Sequence, residues 1–491
     1  MPERTSDPEL FATPLTDTGR SDTAVALPPA PLVPRIDLPR RIALGQVMAH
    51  LALAALLACC AAVVVFAASG PTALVWHSEV AFPGWVAGPL HGLFGRLPHR
   101  VDTLTFGFLM MNLGMLVAYG VALRLAGTLS MSAVWIFVVA AHVILLIGPP
   151  LQATDIFNYL GYARLEALHG LNPYTHVIAA ESGDPISLFA SWHHWQSPYG
   201  PLFSALTYPL GLMPLHAAFW VFKVAAIAMG LVLLWLVSRC ARLTGRDPRS
   251  AVLFVAANPL FMIDEVGGFH NDVFMIVAAM GAIWFLLSGR DRSAGAATAV
   301  AVSVKYTAGL ILPFLLLAAP SLRRRVNVAG GVVLAGVPLL VLTVALFGLA
   351  LPNLAEQGSI LTAFSVPNLL GWGLGLGGAT PGLLKAGELF VVAVVVLQLR
   401  RNRDWVAGAG WATAALLVSL GWIWPWYVVW LLPLAAIASS ARLRAVAVAL
   451  TVFLVITTAP YTMRLLAAHG INPLSGPPGV RSAAIALHFE R

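Results

Sequence analysis

The stretch IALGQVMAHLALAALLACCAAVVVFAA, residues 42–68, runs 27 positions without a charged side chain. A helix crosses the hydrocarbon core of a bilayer with about 20 apolar residues. The stretch therefore reads as a membrane span. A secretory signal has a shorter apolar region and a small-residue cleavage site, so this span reads as a retained anchor. Arg35, Arg40 and Arg41 precede it. Basic residues collect on the cytoplasmic side of spans, which places the N-terminus in the cytoplasm. Residues 1–41 carry eight prolines, mixed charge and little periodicity, and read as a disordered cytoplasmic tail.

The whole chain carries the same signature. Of 491 residues, 59% are hydrophobic and 10% are charged. A soluble domain devotes about a quarter of its residues to charge. This composition excludes a soluble enzyme or a nucleic-acid-binding protein. The net charge of +8 comes from 29 basic and 21 acidic residues. Its arginines cluster beside apolar spans, where they fix orientation. Cys59, Cys60 and Cys240 offer neither metal-ligand spacing nor a disulfide framework.

Further apolar stretches lie at 103–123 and 125–150, hinged near Arg124. Three crossings place the segment 151–198 outside. Residues 199–238 are apolar but broken at Pro209 and Pro214, and they contain Lys223. Short apolar segments at 250–263 and 273–288 flank a polar stretch, 264–272. Residues 293–320 lie between Arg290/Arg292 and Arg323, Arg324 and Arg325, with basic residues at both ends. That pattern fits two short helices meeting near Lys305. Spans follow near 327–350, 382–399, 405–423, 426–441 and 445–463. The expected fold is an all-α, polytopic membrane protein with about 11–14 transmembrane or re-entrant helices. Its membrane domain covers 42–463, with an outer loop at 151–198 and a C-terminal tail at 464–491. No internal repeat is evident.

Four places carry residue types suited to chemistry. Asp155 follows Pro149-Pro150 at the start of the outer loop. A partly desolvated carboxylate at a membrane boundary gains basicity and suits a general base. A solvated loop acid or helix cap fits the same spacing, and Glu166, Glu181 and Asp184 read as solvated loop acids. The loop continues through Tyr159, Gly170-Leu171-Asn172-Pro173-Tyr174, His193, His194 and Ser197-Pro198-Tyr199-Gly200-Pro201. Such rings and amides suit sugar contact, and an interfacial aromatic belt uses the same residues. Adjacent histidines rarely converge on one ion, so no metal is expected. Asp264, Glu265 and Gly267-Gly268-Phe269-His270-Asn271-Asp272 put three acids into one short stretch, which fits a protein-lined wet cavity or an ordinary connecting loop. Lys305 is one of only three lysines and interrupts an apolar segment; a lipid phosphate or a carboxylate such as Asp272 would serve as its partner. Trp422-Ile423-Trp424-Pro425-Trp426-Tyr427 and Trp430 form an aromatic girdle or a sugar platform.

These motifs, with Asn258-Pro259-Leu260, Val304-Lys305-Tyr306-Thr307 and Leu312-Pro313, occur in one order. Over residues 40–463 the chain resembles the polytopic C-type (GT-C) glycosyltransferases that use polyprenyl-phosphate sugars. Among them it is most similar to bacterial polyprenol-phosphate-mannose-dependent α-1,6-mannosyltransferases. The resemblance implies a multi-pass protein of the bacterial cytoplasmic membrane with its active site on the extracytoplasmic face. It implies a polyprenyl-phosphate-linked sugar donor, a glycolipid or lipid-linked glycan acceptor, no cofactor, no metal and no nucleic acid. It gives Asp155 the role of general base in an inverting single displacement. Arg164, His270, Asn271, Asp272 and Lys305 are the expected donor-binding residues. Tyr159, Asn172, Tyr174, Tyr199, Trp426 and Tyr427 are the expected acceptor or sugar contacts. The family often has an Arg before the loop Asp; here the residue is Thr154. Two other readings compete. A transporter or flippase predicts an internal repeat and midplane charges. A non-catalytic scaffold leaves Asp155, 267–272 and Lys305 without purpose.

Overall fold

The computed structural model describes residues 38–95, 97, 100–353, 358, 360–401 and 404–490. Most of the proline-rich N-terminal segment read as a tail lies outside the described residues. The described chain is helical throughout its regular structure. Among the described residues, five helices are long and apolar enough to cross a membrane: α1 (Leu38–Ala68), α2 (Val101–Arg124), Leu215–Leu243, Leu322–Phe347 and Pro381–Arg401. Ala441–Thr457 and Pro460–Ala468 make a sixth span if taken together, bent by 56°. Five further apolar helical segments of 10–17 residues complete the inventory, among them α3 (Met131–Leu146). The all-α polytopic architecture read from the sequence is therefore the one observed. The stretches read as full spans at 125–150, 405–423 and 426–441 are shorter helices.

Helix starts follow local chemistry. Ser130, Ser321, Asp404 and Ser440 each accept a backbone N–H from the first turn of the helix they open. The segment after α3 turns at Pro149-Pro150, because a residue before proline avoids helical backbone. Then α4 (Asp155–His169) begins and ends at Gly170 in left-handed backbone, φ 66°. Next come α5 (Pro201–Gly211) and the long α6 (Leu215–Leu243), separated at Pro214.

The middle of the chain is built from interrupted helices. α7 (Pro248–Ala256) gives way to a π-helical segment, Phe261–Val266, before α8 (Asp272–Leu287). α9 (Asp291–Val304) stops at Lys305, whose backbone is extended (φ −154°, ψ 123°), and a 3₁₀ turn then leads into α10 (Leu312–Ala318). The two short helices expected around Lys305 are thus present. α11 (Leu322–Phe347) lies against α9 through paired glycines. A Cβ on Gly295 would stand 1.9 Å from the Val328 carbonyl oxygen, and one on Gly331 would stand 2.0 Å from that of Arg292.

The C-terminal residues differ from the expected tail. Residues 477–490 form a helix whose end docks on the 151–198 segment. The His194 amide donates to the Phe489 carbonyl at 3.0 Å. Trp195 and Phe489 stack at 5.0 Å. Their apolar burial explains the docking: Trp195, Ile360 and Phe489 form a small separate hydrophobic cluster.

Candidate active site

Backbone meetings between distant segments assemble one cavity. The Leu151 amide donates to the Gly267 carbonyl at 3.0 Å, which ties the Pro149-Pro150 turn to the Gly267-Gly268 pair. The Gly200 amide donates to the Val304 carbonyl at 3.1 Å. A Cβ on Gly200 would lie 2.3 Å from the Ser303 carbonyl oxygen, so only glycine allows this approach. The contact sets Tyr199 beside Lys305. Tyr159 closes the circuit: its hydroxyl accepts the Asn271 amide at 3.0 Å and donates to Asn271 Oδ1 at 3.5 Å.

The result is a cavity of about 270 Å³ lined by Asp155, Tyr159, Tyr199, Asn271, Asp272, Lys305, Trp426 and Tyr427, among others. Asp155 opens α4, and its carboxylate faces this space. Tyr199 donates to Asp155 Oδ1 at 3.2 Å, and His270 Nδ1 lies 3.6 Å from Oδ2. His270 stacks on Trp426 at 3.7 Å and 13°. Neither ring nitrogen of His270 has a hydrogen-bond partner among the described residues. Burial pushes the Asp155 carboxyl up to about 6, with the Tyr199 hydrogen bond and the Lys305 charge opposing the rise.

Across the cavity, Asp272 Oδ1 accepts from Lys305 Nζ at 2.7 Å and from Trp430 Nε1. The Lys305 ammonium lies 4.9 Å from the Tyr427 ring centre and 5.0 Å from that of Trp430. Among the described residues, Lys305 is the one cation lining the cavity. An ammonium has three donors, so the Asp272 contact leaves two for a ligand. Thr154, where the resembling family often has Arg, bonds the Ser191 hydroxyl and brings no charge.

Four expected contacts do not line this cavity. His270 is 1% exposed and reaches it through Asp155 and Trp426. Arg164 is committed to Asp184, with Nε 2.9 Å from Oδ1, because both are largely buried and each neutralises the other. Asn172 donates to the Phe347 carbonyl at 2.7 Å and accepts the Tyr174 amide at 2.9 Å. Tyr174 donates to the Tyr199 carbonyl at 3.0 Å, so it braces the backbone of a cavity residue. The reading of the loop acids as solvated also needs correction. Asp184 is 7% exposed and also meets His169 Nε2 at 3.0 Å. Its partners hold its carboxyl below the usual carboxylate range against the opposing effect of burial. Glu166 is half-buried, and burial pushes its carboxyl up to about 7. A polar segment folded against an apolar body shields acids that sequence alone places in water.

Sequence reasoning missed Trp76, Gln152, Tyr162, Trp192 and Trp195 as cavity walls. Trp192 and Trp195 flank the histidine pair that drew attention, so aromatic density was the available signal. Trp76 lies in a short connection with no motif around it. Lys223 was noted without a role. It is fully buried, donates to the Gly148 carbonyl at 2.6 Å and lies 4.0 Å from the Trp220 ring centre. It thereby pins the turn that precedes Asp155.

A family model described as alpha-(1->6)-mannopyranosyltransferase, N-terminal domain, matches residues 48–321, and one described as MptB C-terminal domain matches residues 361–471. The alpha-(1->6)-mannopyranosyltransferase A of Mycobacterium tuberculosis is 26% identical over 62% of this chain and 64% of its own length. The protein of the same name from Corynebacterium glutamicum is 31% identical over 35% of each chain. A probable alpha-(1->6)-mannopyranosyltransferase of Mycolicibacterium smegmatis is 28% identical over 72% of this chain and 75% of its own. The chain thus spans less than two thirds of the length of the first two of these relatives. No solved structure matches.

Proposed function

The chain belongs to the alpha-(1->6)-mannopyranosyltransferase family, and from that premise we propose that it transfers mannose from a polyprenyl-phosphate donor to a glycolipid or lipid-linked glycan acceptor. The reaction takes place on the extracytoplasmic face of the bacterial cytoplasmic membrane. The observation that carries this reading is one carboxylate and one cation facing each other across an aromatic cavity: Asp155, hydrogen-bonded by Tyr199 at 3.2 Å, and Lys305, held by Asp272 at 2.7 Å.

Asp155 takes the proton of the acceptor hydroxyl. The acceptor oxygen attacks the anomeric carbon from the side opposite the phosphate. The bond from anomeric carbon to phosphate oxygen breaks, and its electron pair leaves with the polyprenyl monophosphate. A β-linked donor gives an α-linked product. A carboxyl raised to about 6 is basic enough to accept the proton while remaining ionised at neutral pH. Negative charge grows on the leaving phosphate, where the free donors of Lys305 meet it. Asp272 and Trp430 orient the ammonium. Tyr159 and Asn271 fix the His270 loop. Tyr199, Trp426 and Tyr427 offer ring faces to sugar. The long apolar helices provide the bilayer setting in which both lipid-linked substrates reside.

Incubating the purified protein in detergent with polyprenyl-phospho-mannose and an octyl α-mannoside tests this. The expected product is a dimannoside with a new α-1,6 linkage. Recovery of unchanged acceptor with active detergent-matched controls overturns the reading.

A further inference from the structure

We infer that the protein holds a second binding chamber, separated from the Asp155 cavity by a wall of tryptophans, and that this chamber takes the neutral sugar chain of the acceptor. The inference rests on the mannosyltransferase reading for the identity of the sugar.

The chamber encloses about 440 Å³. Trp76, Gln152, Trp192, Trp422, Trp424 and Trp426 border both spaces. Trp424 and Trp426 are stacked at 5.1 Å and 10°, with Trp422 edge-on to Trp424 at 5.2 Å. The wall therefore offers flat ring faces to the chamber as well as to the cavity with the catalytic carboxylate. Gln152 stands at the boundary in left-handed backbone, φ 58°. A non-glycine residue held there costs free energy, and such residues cluster at ligand clamps.

Charge distinguishes the two spaces. The first contains Lys305. Among the described residues that line the second there is no Lys, Arg or His, and its ionisable groups are Asp264 and Glu490. A phosphate entering there meets carboxyl groups and no cation. The charged end of the donor is therefore matched to the first space, which supplies an ammonium, and finds no cation in the second.

Asp264 supplies the positive argument. It is 6% exposed, lines the chamber and has no hydrogen bond or ion pair with any described residue. Its carboxyl opens onto the chamber, where a sugar hydroxyl can exchange a hydrogen bond with it. Asp264 lies in the π-helical segment Phe261–Val266, a distortion frequent at functional sites. On the opposite side, Leu454, Val455, Ala459 and Met463 come from the helix pair bent by 56° and give an apolar face. Ring faces, a carboxyl acceptor and an absence of cations are what a neutral hexose chain requires. An acyl or prenyl chain would use the apolar face and leave Asp264 unsatisfied.

The test uses the full-length protein in detergent, with polyprenyl-phospho-mannose as donor and two acceptors, octyl α-mannoside and octyl α-1,6-tetramannoside. Asp264→Leu removes the carboxyl. Met463→Trp narrows the chamber from a position that is 37% exposed, where folding is least disturbed. The expected result is that the wild-type preference for the tetramannoside, as a ratio of kcat/KM values, falls roughly tenfold in both variants. An unchanged ratio in Met463→Trp overturns the inference. So does a roughly tenfold rise in donor KM, which would assign the chamber to the prenyl chain. If the wild type transfers to neither acceptor, the enzymatic reading falls, and tryptophan fluorescence titration with octyl tetramannoside decides the chamber by itself. Saturable quenching weakened by Met463→Trp then sustains it, and absent quenching overturns it.

Discussion

Leu215–Leu243 and Pro381–Arg401 are both long and apolar enough to cross a membrane, and each carries one lysine. In the first helix, 56% of the most apolar window is buried inside the protein; in the second, none is. Lys223 is fully enclosed and bonded to the Gly148 carbonyl, whereas Lys385 is exposed and paired with Glu388 one turn along its helix. Hydropathy reports the absence of water. It does not distinguish a protein neighbour from a lipid one, because both are apolar. The lysines do distinguish them: one sits where the protein provides a carbonyl and aromatic rings, the other where a neighbouring side chain suffices. The buried region extends from Lys223 through the Pro149-Pro150 turn to Asp155, whereas Pro381–Arg401 meets the cavity wall only from behind, with Leu384 against Gly421.

Substitutions should follow that division. Asp155→Asn, at the end of the buried chain of contacts, should lower turnover by roughly 10²–10⁴ while the protein remains folded. Steady-state transfer assays with matched thermal unfolding measure both. Lys305→Met should follow, with a loss of roughly 10²-fold in kcat/KM for the donor. Wild-type rates in that variant would make the Lys305–Asp272 pair structural only. The pH profile sharpens the same assignment. As the proposed general base Asp155 acts deprotonated, and burial raises its carboxyl to about 6, so kcat/KM should fall about tenfold per pH unit below that value and level off above it. The residual activity of Asp155→Asn should lack this acid limb.

Lys223→Met tests the buried helix. It leaves the Gly148 carbonyl without its donor, which should cost about 1–3 kcal/mol, read by denaturation in detergent. The smallest effect belongs to the lipid-facing helix. Lys385→Gln should leave both turnover and unfolding temperature unchanged, because a solvent-exposed pair at this spacing contributes little. An inactive Lys385→Gln would break the comparison and place that helix in the site.

Much of the polar lining of the cavity is legible in the sequence. Asp155, Asn271, Asp272 and Lys305 stood out because charged and amide side chains are rare in an apolar chain, and rarity carries information when each costs free energy to bury. Of the two partners the sequence allows Lys305, a lipid phosphate or a carboxylate such as Asp272, the carboxylate lies 2.7 Å away. Arg164 stood out for the same reason and is paired elsewhere, with Asp184. The difference is geometric: both arrangements satisfy a buried cation, and nothing in the spacing of Arg164 and Asp184 along the chain tells which carboxylate it will meet.

The sequence by itself determined that this chain is a polytopic helical membrane protein. The cost of placing unbonded backbone in hydrocarbon leaves helix as the outcome for its long apolar runs. It also determined where helices stop, through proline pairs, capping hydroxyls and the polar residues around Lys305. Only the tertiary structure decided which apolar helices are enclosed by protein and which leave their apolar faces exposed, since both surroundings accept the same side chains. Only it brought Gly200 against Val304 and Gly267 against Leu151. It also folded the C-terminal residues onto the 151–198 segment and divided the aromatic residues between two chambers. Those outcomes rest on contacts between positions far apart in the chain, whose pairing depends on shape and burial rather than on local spacing.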